Sequence, residues 1–213
     1  MLSQTTIEII IAIVLAYLIG SIPSSVWIGK LFYGVDVRNH ESGNAGATNT
    51  IRVLGAKAGI PVLLFDVFKG WFAIHISDFL GAELLSHEQL INYQMALGIS
   101  ALIGHVFPIY ARFKGGKGIA TLVGITIALF PYPLLVVIGL FIVVFIITEY
   151  VSLGSIVCAL AFPFIVIFIF HITYPSLVIF SIAIAVFIPI THQKNIKRLL
   201  KGEESKFKIR GRR

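Results

Sequence analysis

The sequence predicts an all-α integral membrane protein with about seven transmembrane helices. Hydrophobic residues make up 57% of its 213 residues and charged residues only 13%, whereas soluble domains carry about 25% charged residues. Several apolar runs also approach the roughly 20 residues that a helix needs to cross about 30 Å of hydrocarbon. A water-soluble core could not bury this much apolar surface, so lipid must solvate part of it.

Six apolar runs supply the candidate spans. Their approximate ranges are 7–28, 58–80, 90–110, 118–148, 153–170 and 174–191. The fourth run is interrupted by Pro131 and Pro133, which favours a tight hairpin between two short spans of roughly 14 and 16 residues. This division gives seven helices, with five as the alternative if the short ones are re-entrant.

The distribution of lysine and arginine predicts the orientation, because these residues accumulate in short cytoplasmic segments. The segments 29–57 and 112–117 are basic, whereas the segment 77–89 contains three acidic residues and no lysine or arginine. Nine of the 17 basic residues lie at or after Lys194. The sequence therefore predicts an N-terminus outside the cell membrane and a C-terminus inside.

We expect a single domain over residues 1–213, in which residues 192–213 form a basic cytoplasmic amphipathic tail. His192 and Asn195 are three positions apart and share a helix face, and apolar residues form the opposite stripe. This pattern is typical of a helix on a membrane surface. Beside so many spans, the charge of the tail favours anionic lipid over nucleic acid as its neighbour. On spacing alone, His192 is more readily a structural residue than a ligand.

The segment 35–55, VDVRNHESGNAGATNTIRVLG, concentrates hydrogen-bonding residues on the predicted inner side. Gly43 and Gly46 permit tight turns that expose amide N–H groups. The Arg52 guanidinium is suited to phosphate, and the helix that follows would present its N-terminus to an anion. These features predict an anion-binding loop, with a flexible linker as the alternative.

A second polar segment, 104–121, reads GHVFPIYARFKGGKGIAT and places Gly115-Gly116-Lys117-Gly118 before a helix. Glycines let the backbone approach a ligand, and Lys117 can neutralise a phosphate. The spacing is not that of a Walker A loop, so nucleotide hydrolysis is unsupported. A basic turn that obeys the positive-inside rule is the alternative. For His105, a packing role and a functional role are equally compatible with the sequence.

Two further features carry weaker signals. Ser155, within YVSLGS, lies near the start of the sixth span, where a serine either caps the helix or bonds a phosphate. Asp66 and Lys69 lie one turn apart inside the second span, where a charge costs about 2.5–3.5 kcal/mol on insertion scales. A mutual ion pair offsets that cost, so a structural pair is favoured over a site role.

Several absences narrow the function. No histidine is followed by an aspartate four or five positions later, as in many glycerolipid acyltransferases, and there is no Gly-x-Ser-x-Gly elbow. No acidic cluster could hold two metal ions, and the other histidines, His40, His75, His87 and His171, have no ligand-spaced partners, so we expect no metal or other cofactor. The one cysteine, Cys158, gives no disulfide.

Together these motifs resemble the bacterial membrane-bound acyl-phosphate:glycerol-3-phosphate acyltransferases, the PlsY family. The matching strings are YLIGSIPSS, SGNAGATNTIR, FDVFKG, GHVFP with FKGGKGIAT, YVSLGS and the HQKNIKRLL tail. They stand in the family's order and cover nearly the whole chain. The departures are small: Gly154 stands where relatives often have Ala, and Gln193 where they often have Arg.

The resemblance implies an enzyme of the bacterial inner membrane whose active site faces the cytoplasm. The implied donor is an acyl phosphate, the acceptor is glycerol 3-phosphate, and the product is 1-acyl-glycerol 3-phosphate (lysophosphatidic acid). This reaction would be the first acylation of phospholipid synthesis, without a metal or a thioester donor. We expect a monomer in contact with membrane lipid and with no nucleic-acid partner.

The resemblance also implies site residues, carried over position by position. Those for glycerol 3-phosphate are Ser42, Arg52, Lys117, His192 and Asn195. Those for the acyl phosphate are Gly43, Asn44, Gly115, Gly116, Lys117, Gly118, Thr121 and Ser155. Those with catalytic roles are Lys117, Ser155, His192 and Asn195. The sequence leaves open whether a phosphate oxygen of the donor or His192 takes the hydroxyl proton.

A transporter or flippase for an anionic phosphorylated solute is the alternative function. It would also explain basic, glycine-rich loops on the inner side. It leaves unexplained why the polar residues are confined to that side, because a transport path needs them through the midplane.

Overall fold

The computed structural model describes residues 3–83 and 85–207, and over these ranges it is all-helical, as the sequence predicts. Residues 208–213 of the predicted basic tail lie outside the described residues. The α-helices are α1 (Gln4–Gly20), α2 (Ser24–Tyr33), α3 (Ala47–Leu54), α4 (Ala56–His75), α5 (His87–Val106), α6 (Ile119–Leu129), α7 (Pro131–Thr148), α8 (Val151–Phe164), α9 (Pro175–Thr191) and α10 (Gln193–Lys201).

By length and composition, between four and six segments of the described chain could cross a membrane. The four unbroken ones are Ala56–Asp78, His87–Ala111, Pro131–Thr148 and Val151–Ile169. The pairs α1–α2 and α9–α10, bent by 43° and 62°, give up to two more. Helix α6 is apolar but has 11 residues, which extend only about 16 Å. The count of seven therefore stays a prediction.

Prolines change two helix boundaries from those expected. The predicted continuous helix over 7–28 is wrong, because α1 ends at Gly20 and α2 begins at Ser24, although the two together are long and apolar enough for one broken span. Pro23 lies at this break, where its ring and missing N–H disfavour a continuous helix. Pro131 and Pro133, predicted to form a turn, instead lie in the first turn of α7. A proline is tolerated there because first-turn N–H groups have no intrahelical partner.

The helices fall into two compact units, residues 1–129 and residues 130–213. In the first unit, small residues bring helix backbones together, as is usual in membranes. A Cβ atom at Gly20 would overlap the Ala101 carbonyl between α1 and α5, and one at Gly124 would overlap the Val67 carbonyl between α6 and α4. Buried residues at the core of this unit are Ala12, Ala16, Ala73, Ile76, Tyr93, Leu97 and Ala101.

The second unit packs around aromatic rings. Phe130 is fully buried, with its ring edge-on to Phe162 at a centroid distance of 5.1 Å and stacked on Phe180 at 6.3 Å. A Cβ atom at Gly154 would lie 2.9 Å from the Phe141 ring, so an alanine there would require that ring to shift. Many large apolar side chains of α7 are exposed on the protein surface, as expected for a helix that faces lipid.

Candidate active site

The first polar segment is folded around the side chain of Asn49. The amide and hydroxyl of Ser42 donate to Asn49 Oδ1 at 3.1 and 2.9 Å. Asn49 Nδ2 donates to the carbonyl oxygens of Val37 and His40 at 2.8 and 3.3 Å. Since Asn49 is only 1% exposed, its amide organises the loop. The segment is thus tightly hydrogen-bonded, which argues against the flexible-linker alternative.

The predicted ligand-binding residues of this segment lie before α3 and on its last turn. Gly43 adopts a left-handed conformation with φ of 69°, which favours glycine. Asn44 is half-buried and lies against Gly46, where its Nδ2 would be 2.9 Å from a Cβ atom. Helix α3 begins directly after Gly46, and Arg52 is half-buried on its last turn.

The glycine-rich segment is docked on the end of α5 by its own backbone. The amides of Gly115 and Gly116 donate to the carbonyls of Val106 and His105, each at 3.2 Å. Gly118 has a φ of 87°, and its carbonyl accepts the first helical hydrogen bond of α6. The amides of the first two glycines therefore hold the loop in place, and the role of Gly115 and Gly116 in binding the acyl phosphate stays a prediction.

The two polar segments of this unit meet at Gly116. A Cβ atom at Gly116 would overlap His105 Nε2 and would lie 2.8 Å from the Ala45 carbonyl oxygen. Ala45 belongs to the first segment, and Lys117 follows Gly116 directly. The structure thus brings the SGNAGATN and GGKG motifs into contact, as a shared site requires.

Thr121, a predicted ligand of the donor phosphate, is fully buried on α6. Its carbonyl packs against Gly70 of α4, where a Cβ atom would overlap it. The hydroxyl has no hydrogen-bond partner among the described residues. In this structure Thr121 contributes to the contact between two helices.

Asp66 and Lys69 form the ion pair that the sequence favours. Lys69 Nζ lies 2.7 Å from Asp66 Oδ1, and both side chains are 1% exposed. Lys69 also donates to the Ile22 carbonyl at 3.0 Å, and Ser24 Oγ donates to Asp66 Oδ1 at 2.8 Å. His105 Nδ1 is 3.7 Å from the same oxygen. The pair therefore joins α4 to the break between α1 and α2, and adjoins the residue that supports Gly116.

In the second unit, Glu204 gathers side chains around one buried carboxylate. Glu204 Oε1 accepts hydrogen bonds from Ser152 Oγ at 2.7 Å and Asn195 Nδ2 at 2.6 Å, and Oε2 accepts from Arg198 Nε at 2.6 Å. Burial raises the pKa of Glu204, but these hydrogen bonds outweigh it, so the pKa lies below the ordinary value for glutamate. Sequence reasoning missed Glu204, and it orients Asn195, a predicted site residue.

His192 and Ser155 are also fixed within the second unit. His192 is 3% exposed, and its Nδ1 lies 2.9 Å from the Ile188 carbonyl oxygen. A ring nitrogen beside a carbonyl carries the proton, so a neutral ring has its lone pair on Nε2. Ser155 is buried near the start of α8, and its hydroxyl donates to the Val151 carbonyl at 2.9 Å. In the described part of the chain, no three His, Cys, Asp or Glu residues are grouped to hold a metal ion.

Comparisons with known proteins agree along nearly the whole chain. A family model described as glycerol-3-phosphate acyltransferase matches residues 10–202. The glycerol-3-phosphate acyltransferase of Fusobacterium nucleatum is 45% identical over 197 residues, which cover 92% of this chain and 97% of the relative. That of Chlorobaculum tepidum is 42% identical over 218 residues, which cover 91% of this chain and 94% of the relative.

Solved structures agree with the sequence relatives. The glycerol 3-phosphate form of PlsY (YgiH), an integral membrane glycerol 3-phosphate acyltransferase, matches with a TM-score of 0.81 at 35% identity, covering 94% of this chain and 96% of that one. Its lysophosphatidic acid form matches with a TM-score of 0.78 at 34% identity, covering 94% and 95%.

The helical fold, the apolar spans and these relatives define an integral membrane acyltransferase. The chain belongs to the glycerol-3-phosphate acyltransferase family, which confirms the resemblance drawn from its motifs. The comparisons give no support to a transporter or flippase.

Proposed function

We propose that this protein transfers an acyl group from an acyl phosphate to the sn-1 hydroxyl of glycerol 3-phosphate. The products are 1-acyl-glycerol 3-phosphate and inorganic phosphate, and the reaction begins phospholipid synthesis without a metal or other cofactor. The observation that carries the proposal is the contact between the two polar segments at Gly116 and Ala45, in a chain that the family model matches over residues 10–202.

Two phosphates are bound side by side in this proposal. Arg52 and Ser42 hold the acceptor phosphate, because a guanidinium fork and a hydroxyl suit its oxygens; the Ser42 hydroxyl, which donates to Asn49 in this structure, would turn to the phosphate. Lys117, with the backbone of Gly118 and of Gly43-Asn44, holds the donor phosphate. Support comes from the docked loop, which places Lys117 one residue from the contact with Ala45. The family resemblance adds His192 and Asn195 to the acceptor site and Ser155 to the donor site.

The chemical step needs little beyond orientation and charge. The acceptor oxygen attacks the acyl carbon, an ester bond forms, and the bond from that carbon to the bridging phosphate oxygen breaks. An acyl phosphate is a mixed anhydride with a good leaving group, so positioning supplies much of the rate. Cations on the departing phosphate stabilise its growing charge. The family resemblance gives Ser155 a part in this step, for which its hydroxyl would have to turn away from the Val151 carbonyl.

The hydroxyl proton passes either to an oxygen of the donor phosphate or to His192 Nε2. His192→Gln separates the two routes, because glutamine keeps a polar side chain but takes no proton near neutral pH. If His192 is the base, the kcat of His192→Gln should be about 10²- to 10⁴-fold lower than that of the unmodified protein, and the pH dependence of kcat should disappear. An unchanged pH profile with most activity retained assigns the proton to the donor phosphate. The measurement is kcat as a function of pH.

Arg52→Lys tests the acceptor site. Lysine keeps the charge but loses the planar fork, so we expect the KM for glycerol 3-phosphate to rise about tenfold. A tenfold change corresponds to a loss of roughly 1.4 kcal/mol of binding free energy. The KM for the acyl phosphate should change less. Arg112→Lys, the same exchange at an exposed position, is the control. An unchanged acceptor KM in Arg52→Lys would refute this placement of Arg52.

The proposed setting is the bacterial inner membrane, with seven spans, the N-terminus outside and the active site in the cytoplasm. We also propose that both units form one domain in a monomer; the match over residues 10–202 supports the single domain.

The orientation can be tested by labelling. A membrane-impermeant thiol reagent added to spheroplasts should label Ser86→Cys and leave Ser205→Cys unlabelled. Both positions are exposed, and buried Cys158 sets the background. The reverse pattern would overturn the orientation.

The function itself is tested with protein purified into lipid nanodiscs. Labelled glycerol 3-phosphate is supplied with palmitoyl phosphate, palmitoyl-CoA or palmitoyl-acyl carrier protein, each in a chelating buffer. We expect labelled lysophosphatidic acid from palmitoyl phosphate alone, and its loss in Lys117→Ala. Product from a thioester alone would overturn the donor assignment. No product from any donor would overturn the reaction.

A further inference from the structure

The side chain of Arg38 links two loops that are far apart in sequence. Its Nε and Nη2 donate to the two carboxylate oxygens of Asp36 at 3.0 and 2.8 Å. Its remaining nitrogen, Nη1, donates to the Ala111 carbonyl at 3.1 Å and approaches the Lys114 carbonyl at 3.5 Å. Arg38 thus contacts the turn that leads into the glycine-rich loop, 73 residues further along the chain.

This turn has a backbone conformation that needs support. Arg112 and Phe113 both adopt left-handed conformations, with φ of 56° and 58°. Such conformations are unfavourable for residues other than glycine and persist where their surroundings impose them. The Phe113 amide donates to the Pro108 carbonyl at 2.8 Å. The hydrogen bonds from Arg38 hold the carbonyls on either side of the two strained residues.

Asp36 holds the guanidinium of Arg38 in a fixed plane. Its carboxylate also accepts the Arg38 backbone amide at 3.1 Å and lies 3.2 Å from Lys30 Nζ. The side-chain hydrogen bond from Arg38, opposed only in part by burial, keeps the pKa of Asp36 well below its usual range. The carboxylate is therefore ionised at neutral pH, and the bidentate geometry leaves only Nη1 to reach the turn.

The main chain of Arg38 packs against the SGNAGATN motif of its own segment. A Cβ atom at Gly43 would lie 3.3 Å from the Arg38 carbonyl oxygen. The backbone of Arg38 thus borders the SGNAGATN segment, while its side chain borders the turn before Gly115. Arg38 is itself part of the first polar segment, 35–55, so its side chain is a direct link from that segment to the turn before the glycine-rich loop.

We propose that Arg38 is a positioning residue that fixes the 111–114 turn, and through it Lys117, against the first polar segment. This inference rests on the proposed function for its kinetic consequence, because Lys117 is there assigned to the donor phosphate. In this proposal the guanidinium of Arg38, engaged by Asp36 and the Ala111 carbonyl, binds no substrate. Its role is geometric: a fork held by Asp36 aligns the strained turn that delivers the lysine.

The test compares Arg38→Gln and Arg38→Lys with Arg112→Gln in nanodiscs. Arg112 lies in the same turn with an exposed side chain, so Arg112→Gln removes one positive charge there and leaves the contacts of Arg38 intact. Two measurements are made on each variant. The first is kcat and the KM for each substrate; the second is hydrogen exchange of the backbone amides in residues 112–118.

In Arg38→Gln we expect kcat/KM to fall about 10- to 100-fold, in line with small displacements of catalytic groups. Most of this fall should appear in the KM for the acyl phosphate, and amide exchange in residues 112–118 should become faster. Arg38→Lys, which can bond Asp36 or the turn but not both, should recover part of each effect. Arg112→Gln should resemble the unmodified protein in both measurements.

Unchanged exchange in Arg38→Gln, or an equal loss in Arg112→Gln, would overturn the inference. The exchange measurement needs no activity, so it decides the role of Arg38 even if the unmodified protein forms no lysophosphatidic acid. That last outcome would count against the proposed function alone. If Arg38→Gln does not fold, the same measurements on Arg38→Lys decide the question, because lysine retains the charge beside Asp36.

Discussion

Gly116→Ala is expected to lower kcat/KM about 100-fold while the protein still inserts and folds. The added methyl group would overlap His105 Nε2 and press on the Ala45 carbonyl oxygen, 2.8 Å away. The imidazole can turn aside, but the carbonyl belongs to the backbone of the first polar segment, so one loop must move away from the other. A displacement of about 1 Å between groups that orient two substrates costs on the order of 100-fold in rate.

Gly139→Ala is the matched control for this substitution. Gly139 lies in α7, and a Cβ atom there would meet nothing within 4 Å. The same methyl group is added without a clash, so activity should be unchanged. A Gly116→Ala protein with the activity of Gly139→Ala would show that contact between the loops does not control catalysis.

A second substitution tests which contact matters at Gly116. His105→Ala removes the imidazole that the new methyl group would overlap but leaves the Ala45 carbonyl in place. In the double variant, activity should recover only in part, because the backbone contact remains. The interaction energy from this double-mutant cycle measures how strongly the two positions are coupled.

The sequence predicted the helices well because apolar length is a local property. The runs at 58–80, 90–110 and 174–191 correspond to α4, α5 and α9 within a few residues. The break between α1 and α2 was missed, although Pro23 is visible in the sequence, since the run around it stays apolar. Hydropathy measures how apolar a segment is. The break between the two helices arises because proline has no backbone N–H to donate to a helical hydrogen bond, which hydropathy does not record.

Residue types predicted which loops form the candidate site, but not what each side chain does there. Asn49 and Ser42 look alike as hydrogen-bonding residues, yet Asn49 is buried and binds three residues of its own loop, whereas Ser42 is only half-buried and binds Asn49 alone among the hydrogen bonds of that loop. Glu204 bonds Ser152, 52 residues away, so no local pattern reveals it. In the sequence, Arg38 is only one of the basic residues that make the segment 29–57 positive. Long-range hydrogen bonds decide such roles, and spacing along the chain carries no signal for them.

Lys69→Met is expected to destabilise the protein more than any other single change considered. Methionine fills a similar volume but leaves the Asp66 carboxylate without its cation at a site 1% exposed. Removal of one partner from a buried pair costs about 3–5 kcal/mol. In a protein of this size, roughly 1 kcal/mol lowers the melting temperature by about 2–4 °C. The melting temperature in lipid nanodiscs should therefore fall by about 10 °C.

Lys57→Met is the control, because Lys57 is exposed on the first turn of the same helix. Both variants replace a lysine by methionine. They differ in whether that lysine is buried and in whether it pairs with Asp66. Its melting temperature should stay within a few degrees of the original. A Lys69→Met protein as stable as Lys57→Met would contradict a stabilising role for the pair.

The double variant Asp66→Leu/Lys69→Met separates an unpaired charge from a lost ion pair. When both partners become apolar, no charge is left buried, and such replacements are often close to neutral. Here the Ile22 carbonyl and the Ser24 hydroxyl would each lose a partner, at about 1–3 kcal/mol for each group left unsatisfied. The double variant should therefore melt above Lys69→Met but below the original protein. If it melts below Lys69→Met, the Asp66 carboxylate stabilises the protein even without its cation, through the Ser24 hydroxyl and His105, and an unpaired charge is not what destabilises Lys69→Met.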